Sequence, residues 1–164
     1  GEALARAIAA RAVTELARGA DGFARALNGR VAVVLPRFSD LAARITIEDA
    51  MLDGAGWLRA ALAPAGIAPE PVLVGIEPTD DEIRAAAESG AAADATILFL
   101  YDAHLYPSNR ALLEAVQAKA RRLAVVVMRD PWDAALLAPG VGAVTAWGWR
   151  RCQLEAALAR LVHG

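Results

Sequence analysis

The sequence is poor in the residues that carry most redox, metal and nucleophilic chemistry. Cys152 is the only cysteine, so an internal disulfide and a cysteine-based metal cluster are both excluded. The two histidines, His104 and His163, stand far apart and in no metal-ligand spacing, and no metal is expected. Lysine is nearly absent: Lys119 stands alone among seventeen basic side chains, a bias in keeping with a GC-rich coding sequence. The arginines are scattered, only Arg121-Arg122 and Arg150-Arg151 being adjacent, and the formal net charge is -2. No basic stripe follows the chain, and nucleic acid is not expected as a partner. Although 57% of the residues are hydrophobic, no uninterrupted apolar run approaches the roughly 20 residues of a membrane-spanning helix. The chain reads as soluble, with no membrane partner. Glu2 and Glu15 interrupt the alanine-rich opening, which lacks the apolar core and cleavage site of a signal peptide.

Three motifs are missing as well. No Gly-x-Gly-x-x-Gly or Walker loop follows the first apolar run, where Leu35-Pro36-Arg37-Phe38 offers no glycine to let a phosphate reach the backbone. No Gly-x-Ser-x-Gly elbow occurs, which argues against an α/β-hydrolase. No cofactor is expected.

What is present is a regular alternation. At 164 residues the chain suits a single domain, residues 1–164, with a core of its own. Short, nearly continuous apolar runs recur at Val31 to Leu35, Val72 to Ile76, Thr96 to Leu100, Leu123 to Met128 and Val144 to Trp147. Such runs suit strands buried on both faces of a parallel sheet, since half-exposed strands alternate. Helical stripes lie between and around them. Leu4, Ile8, Ala12 and Leu16 mark an opening helix, and Leu154, Leu158, Leu161 and Val162 a closing one. Thr79 with Glu82 three residues on reads as a capping box, and Asp80, Asp81 and Glu82 as a solvated helix start. Ser108 after Pro107 suggests another helix start. Phe38 to Gly56 reads as a broken helix. The pattern predicts an α/β fold of three layers, a mostly parallel sheet of five or six strands with helices on both faces.

Ligands of open parallel sheets bind beyond the carboxyl ends of the strands, and here those ends hold the unusual residues. The candidates for a substrate- or partner-facing rim are Arg37, Tyr101, Asp102, His104, Arg129, Asp130, Trp132, Trp147 and Trp149. Each has a plainer reading. Asp130 before Pro131 is the pattern of a helix cap followed by proline at the first helical position, with Asp133 favourable to the helix dipole. His104, with no serine, cysteine or second ligand beside it, reads as a solvated or hydrogen-bonding group. Trp147 and Trp149, two apart, share a face while the strand persists. At least one of them is expected to stay exposed and to join Tyr101 and Trp132 in one patch.

Read in order, these rim segments resemble the carboxy-terminal domain of family 3 glycoside hydrolases, in particular the β-N-acetylhexosaminidases. That domain has a Thr-Tyr-Asn-Ala-like turn, then Leu-Arg-Asn-Pro-Tyr-Asp, then Thr-Tyr-Gly-Tyr before a Ser-x-x-Ala-Leu helix. The counterparts here are Leu100-Tyr101-Asp102-Ala103, Met128-Arg129-Asp130-Pro131-Trp132-Asp133 and Ala146-Trp147-Gly148-Trp149, followed by Gln153-Leu154-Glu155-Ala156-Ala157-Leu158. Ile8 to Thr14 is similar to that domain's first helix, so the resemblance spans nearly the whole chain. Aspartate replaces asparagine at Asp102 and Asp130, and tryptophan replaces tyrosine at Trp132, Trp147 and Trp149, exchanging amide and hydroxyl partners for charge and indole.

The resemblance implies a flavodoxin-like topology and an accessory role in a retaining, exo-acting enzyme that removes β-linked N-acetylglucosamine. The partners implied are an amino-terminal catalytic barrel and, through the complete enzyme, the saccharide. The nucleophile and the histidine-aspartate pair of that branch belong to the barrel, and its Lys-His-Phe-Pro-Gly-His-Gly-like segment has no counterpart here. The β-glucosidase branch takes an acid glutamate from this domain, but none of Glu48, Glu77, Glu114 and Glu155 is aligned to it. No catalytic residue is assigned, and the chain alone is expected to be inactive. The alternative is a free-standing flavodoxin-like binding or scaffold domain.

Overall fold

Six segments pair into one sheet in the computed structural model, which describes residues 1–164. In chain order the elements are α1 (Glu2–Ala12), β1 (Thr14–Ala17), α2 (Phe23–Ala26), β2 (Val31–Pro36), α3 (Phe38–Ala42), α4 (Asp49–Leu52), α5 (Gly54–Leu62) and β3 (Pro69–Val74). They continue with α6 (Asp80–Ala92), β4 (Ala95–Leu100), α7 (Pro107–Lys119), β5 (Leu123–Val127), β6 (Gly142–Thr145) and α8 (Arg151–His163). The strand order is β1-β6-β5-β4-β2-β3. All neighbours are parallel except β1, which runs antiparallel to β6. Without β1 this is the flavodoxin-like order, with the topological switch between β2 and β4.

Alternation along the central strands divides the core in two. Val31, Val33, Leu35, Ile97 and Phe99 face Trp57, Leu58 and Leu62 of α5 and Leu154 and Leu158 of α8. Val34, Leu98, Leu100, Val125 and Val127 face Ala86 of α6 and Leu112, Leu113 and Val116 of α7. Every residue of β2, β4 and β5 is buried, which is why these strands read as continuous apolar runs. Full burial of each valine, leucine, isoleucine or phenylalanine side chain among them is worth about 1.5–3 kcal/mol. A three-ring stack strengthens the first core: Trp57 meets Phe38 and Phe99 edge-on, both at 6.0 Å between centroids.

Several boundaries differ from the sequence reading. The opening helix stops at Ala12, and Leu16 lies in β1. Thr14 donates its hydroxyl to the Ala12 carbonyl at 3.0 Å, and the β-branched pair Val13-Thr14 prefers the extended chain that pairs with β6. The stripe is thus broken, and Leu4 and Ile8 remain exposed. Strand β3 starts at Pro69, three residues before the expected run. Its two prolines, Pro69 and Pro71, are tolerated because β3 is an edge strand. In α7 the first helical residue is Pro107 after Tyr106, so Ser108 is not the cap. Phe38 to Gly56 does break into short helices, with Asp53 accepting from Gly56 N at 3.0 Å to start α5.

The capping box at Thr79 and Glu82 forms as expected. Glu82 is not merely a solvated charge, however. It also accepts from Arg37 Nη1 at 2.7 Å and from Gly75 N at 3.2 Å. Burial alone would raise its carboxyl, but the hydrogen bonds from Thr79 N, Arg37 and Gly75 N outweigh it and hold the group below its ordinary value.

Candidate functional site

The parallel strands all end on one side of the sheet, and β1 begins there, since Thr14 pairs with Thr145. The loops after β4, β5 and β6 are therefore neighbours, and two linked clusters form among them.

In the first cluster Arg129, just past β5, reaches Asp102 just past β4 at 3.1 Å. It lies 3.6 Å from Asp130 and over the ring of Trp149 at 5.2 Å. Asp102 is 3% exposed. Burial raises its carboxyl above the ordinary value, and Arg129 offsets only part of that. The backbone there is unusual too, with φ of +41° at Asp102, a left-handed conformation that aspartate and asparagine tolerate best among side-chain-bearing residues. Tyr101 stacks on Tyr106 with centroids 5.6 Å apart, and burial first, then the neighbouring Asp102, raises its phenol.

In the second cluster His104 donates from Nδ1 to Asp133 Oδ1 at 2.7 Å. The tautomer with hydrogen on Nδ1 leaves Nε2 without a protein partner. Asp133 is 1% exposed and also accepts from Ala103 N at 2.9 Å and His104 N at 2.8 Å. A buried carboxylate thus ties the β5 loop to the β4 loop and orients the imidazole. The sequence marks Asp133 only as a charge favourable to the helix dipole, and its partners come from the β4 loop, 29 and 30 residues away. Asp130 precedes a 3₁₀ turn, Pro131–Leu136, and makes no side-chain cap.

Of the remaining candidates, Arg37 pairs with Glu82 and Asp40 beyond β2 and joins neither cluster. Trp147 is 48% exposed and Trp132 72% exposed, so the expected exposure is present. Tyr101 is only 8% exposed, however, so it does not join them as a surface aromatic. The alternation expected of Trp147 and Trp149 does not apply either, because β6 ends at Thr145. Trp147 instead adopts φ of +60°, a conformation that costs a bulky side chain roughly 1–2 kcal/mol. The turn is held from several sides: Trp147 N donates to Thr145 Oγ1 at 3.1 Å, its indole donates to Thr14 Oγ1 at 3.2 Å, and Gly148 N donates to Met128 O at 2.6 Å. Such a conformation persists only where the surrounding structure over-determines it, as these three hydrogen bonds do.

No protein-family model and no curated protein matches the sequence. Solved structures do. A family 3 β-N-acetylglucosaminidase from Paenibacillus sp. str. FPU-7 superposes over 96% of this chain with a TM-score of 0.75 at 23% identity. The fold is that of the carboxy-terminal domain of family 3 glycoside hydrolases. A fungal multi-domain family 3 β-N-acetylglucosaminidase gives 0.73 over 98% of the chain at 16% identity. A family 3 β-glucosidase from Bifidobacterium adolescentis gives 0.64 over 98% at 17%. This chain spans only 29%, 17% and 26% of those three proteins. In those multi-domain enzymes the family 3 fold seen here is one part of a longer chain.

The burial of Asp102 has a pH consequence. Its folded-state value lies above the ordinary one, so its contribution to stability is present below the ordinary value and is lost as pH rises through the folded one. Asp102→Asn removes this titration while keeping a side chain suited to the positive φ. The variant is expected to gain on the parent as pH rises above the ordinary aspartate value of about 3.9, read as urea midpoints across a pH series. A gap that stays constant or moves the other way would contradict the buried, raised carboxyl.

Proposed function

We propose that this chain is the accessory α/β domain of a retaining, exo-acting β-N-acetylhexosaminidase-like glycoside hydrolase, and that its strand-end rim packs on the catalytic barrel and helps shape the sugar site. The observation that carries this reading is the coupled rim, in which Arg129 joins Asp102, Asp130 and Trp149 while Asp133 orients His104. It lies where open parallel sheets bind their ligands, on a fold found within family 3 enzymes. The two N-acetylglucosaminidases superpose better, at 0.75 and 0.73, than the β-glucosidase at 0.64, which favours the hexosaminidase branch.

The rim supplies contacts rather than bond cleavage. A retaining glycosidase needs two carboxyl groups roughly 5 Å apart, one free to attack and one to protonate. Asp102 and Asp133 are both enclosed and committed, one to Arg129 and the other to two backbone amides and His104. Trp132 and Trp147, both exposed, offer indole faces suited to a sugar or a barrel loop, and Trp132 an N–H donor as well.

The test compares the chain alone with the same domain joined to a family 3 barrel, using an aryl N-acetylglucosaminide. The chain alone is expected to show no turnover above buffer. In the joined protein Arg129→Ala is expected to raise KM by about tenfold, with a smaller change in kcat, as loss of a binding contact does. Turnover by the isolated chain that a substitution in it abolishes, or unchanged kinetics in the joined variant, would refute the proposal.

A further inference from the structure

Not every hollow of the surface lies on the rim. A cleft of about 620 Å³ opens at the opposite end of the sheet, where β1 finishes and β5 and β6 begin. Its walls carry Arg18, Arg121, Arg122 and Arg160 against the carboxylate side chains of Glu15 and Asp21. A smaller hollow beside it shares Arg121 and Arg122 and adds Arg25 and Asp94. The chain as a whole has more carboxylates than basic groups, so the excess of arginine is local.

The guanidinium groups are largely uncommitted. Arg160 and Arg121 each lie 3.8 Å from a carboxylate, Glu15 and Asp94 respectively, too far for a strong hydrogen bond. Asp94 is occupied meanwhile by Arg30 N at 2.8 Å. Arg18, Arg25 and Arg122 have no carboxylate within ion-pair reach; Arg122 donates only to the Arg121 carbonyl, at 3.0 Å. Helices α7 and α8 end on this side, and their carboxyl ends together present roughly one negative charge. That offsets part of the charge and leaves only a small positive excess among the side chains.

Gly19, Gly22, Gly140 and Gly142 also line the cleft. Gly22 and Gly140 have φ of +95° and +84°, while a Cβ on Gly142 would stand 3.1 Å from the Gly19 backbone. Glycine therefore serves the chain path at these four positions, through positive φ at Gly22 and Gly140 and close backbone approach between Gly19 and Gly142. Several planar guanidinium forks gathered around one cleft with few carboxylate partners suit a tetrahedral oxyanion, which arginine binds in bidentate fashion.

We propose that this cleft binds the phosphate group of a small phosphorylated molecule, at a site separate from the rim. The site needs no barrel, so it stands or falls independently of the function proposed above. The test is titration of the full chain with pyrophosphate, followed by amide chemical shifts and calorimetry. Saturable binding with Kd of about 1 mM or tighter is expected, with shifts at Gly19, Gly22, Gly140 and Gly142. Arg18→Ala combined with Arg122→Ala is expected to weaken it by about tenfold or more, while Arg59→Ala on α5 leaves it unchanged. Absence of saturation, binding insensitive to the double substitution, or shifts confined to the rim would overturn the proposal. So would a single-stranded oligonucleotide that binds where pyrophosphate does not, since that marks a polyanion surface rather than a phosphate cleft.

Discussion

Asp133→Ala is expected to destabilise the domain by about 3 kcal/mol, one of the largest losses available outside the apolar core. The carboxylate is 1% exposed and accepts from Ala103 N, His104 N and His104 Nδ1 at 2.7–2.9 Å. Ala103 is itself buried, so its N–H has no water to replace the lost acceptor. Each buried donor left unpaired costs about 1–3 kcal/mol. Against this stands the expense of burying the carboxylate in the first place, several kcal/mol, which the substitution recovers. The deletion still loses on balance, because the backbone donors remain buried. Asp133→Asn keeps one acceptor oxygen but turns an amide N–H₂ toward a donor, so a smaller loss is expected. Urea midpoints should fall in that order with m unchanged, and the melting temperature of the alanine variant by about 10 °C. A midpoint equal to the parent's would mean that the two loops are held by something other than Asp133.

The contrast between strands that were legible in the sequence and those that were not follows from burial. β2, β4 and β5 are enclosed on both faces, so their composition announces them whatever surrounds them. β1 has four residues with an exposed-to-intermediate pattern, and its Leu16 continues a helical stripe by chance of spacing. Only pairing with β6 decides its state, and pairing is a tertiary fact. The rim behaves the same way. Its members were legible because topology places every parallel strand end on one side, but their partners were not. His104 and Asp133 are 29 residues apart in sequence and meet because β4 and β5 pair from Thr96 and Leu123 to Leu100 and Val127. Trp147 and Trp149 defeated a period-two argument because the strand stops before both of them and the chain turns through a positive φ.

Glu82→Ala is expected to cost about 2–3 kcal/mol at neutral pH, and the loss should shrink as the solution is acidified. This carboxylate serves three donors from different elements: Thr79 N at 2.9 Å, Gly75 N at 3.2 Å and Arg37 Nη1 at 2.7 Å. It thereby closes the first turn of α6 and joins it to the ends of β2 and β3. The side chain is 21% exposed and Arg37 40% exposed, so the ion pair is partly screened and the backbone bonds carry much of the effect. The folded-state value lies below the ordinary one. Its stabilising contribution is therefore complete above the unfolded value of about 4.3 and is lost as pH falls through the folded one. This is opposite in sign to Asp102, whose contribution fades as pH rises. Glu82→Gln separates the parts: the glutamine oxygen still accepts from Thr79 N or Gly75 N, while the pairing with Arg37 loses its charge. About half of the alanine loss is expected for it, vanishing at low pH where the parent's carboxyl is protonated too. Unfolding midpoints for the three proteins, measured from neutral pH down to about pH 3, should converge for the parent and the glutamine variant while the alanine variant stays below both. If the parent and the glutamine variant differ by the same amount across that range, the ionised form of Glu82 has no role in holding α6 to the sheet.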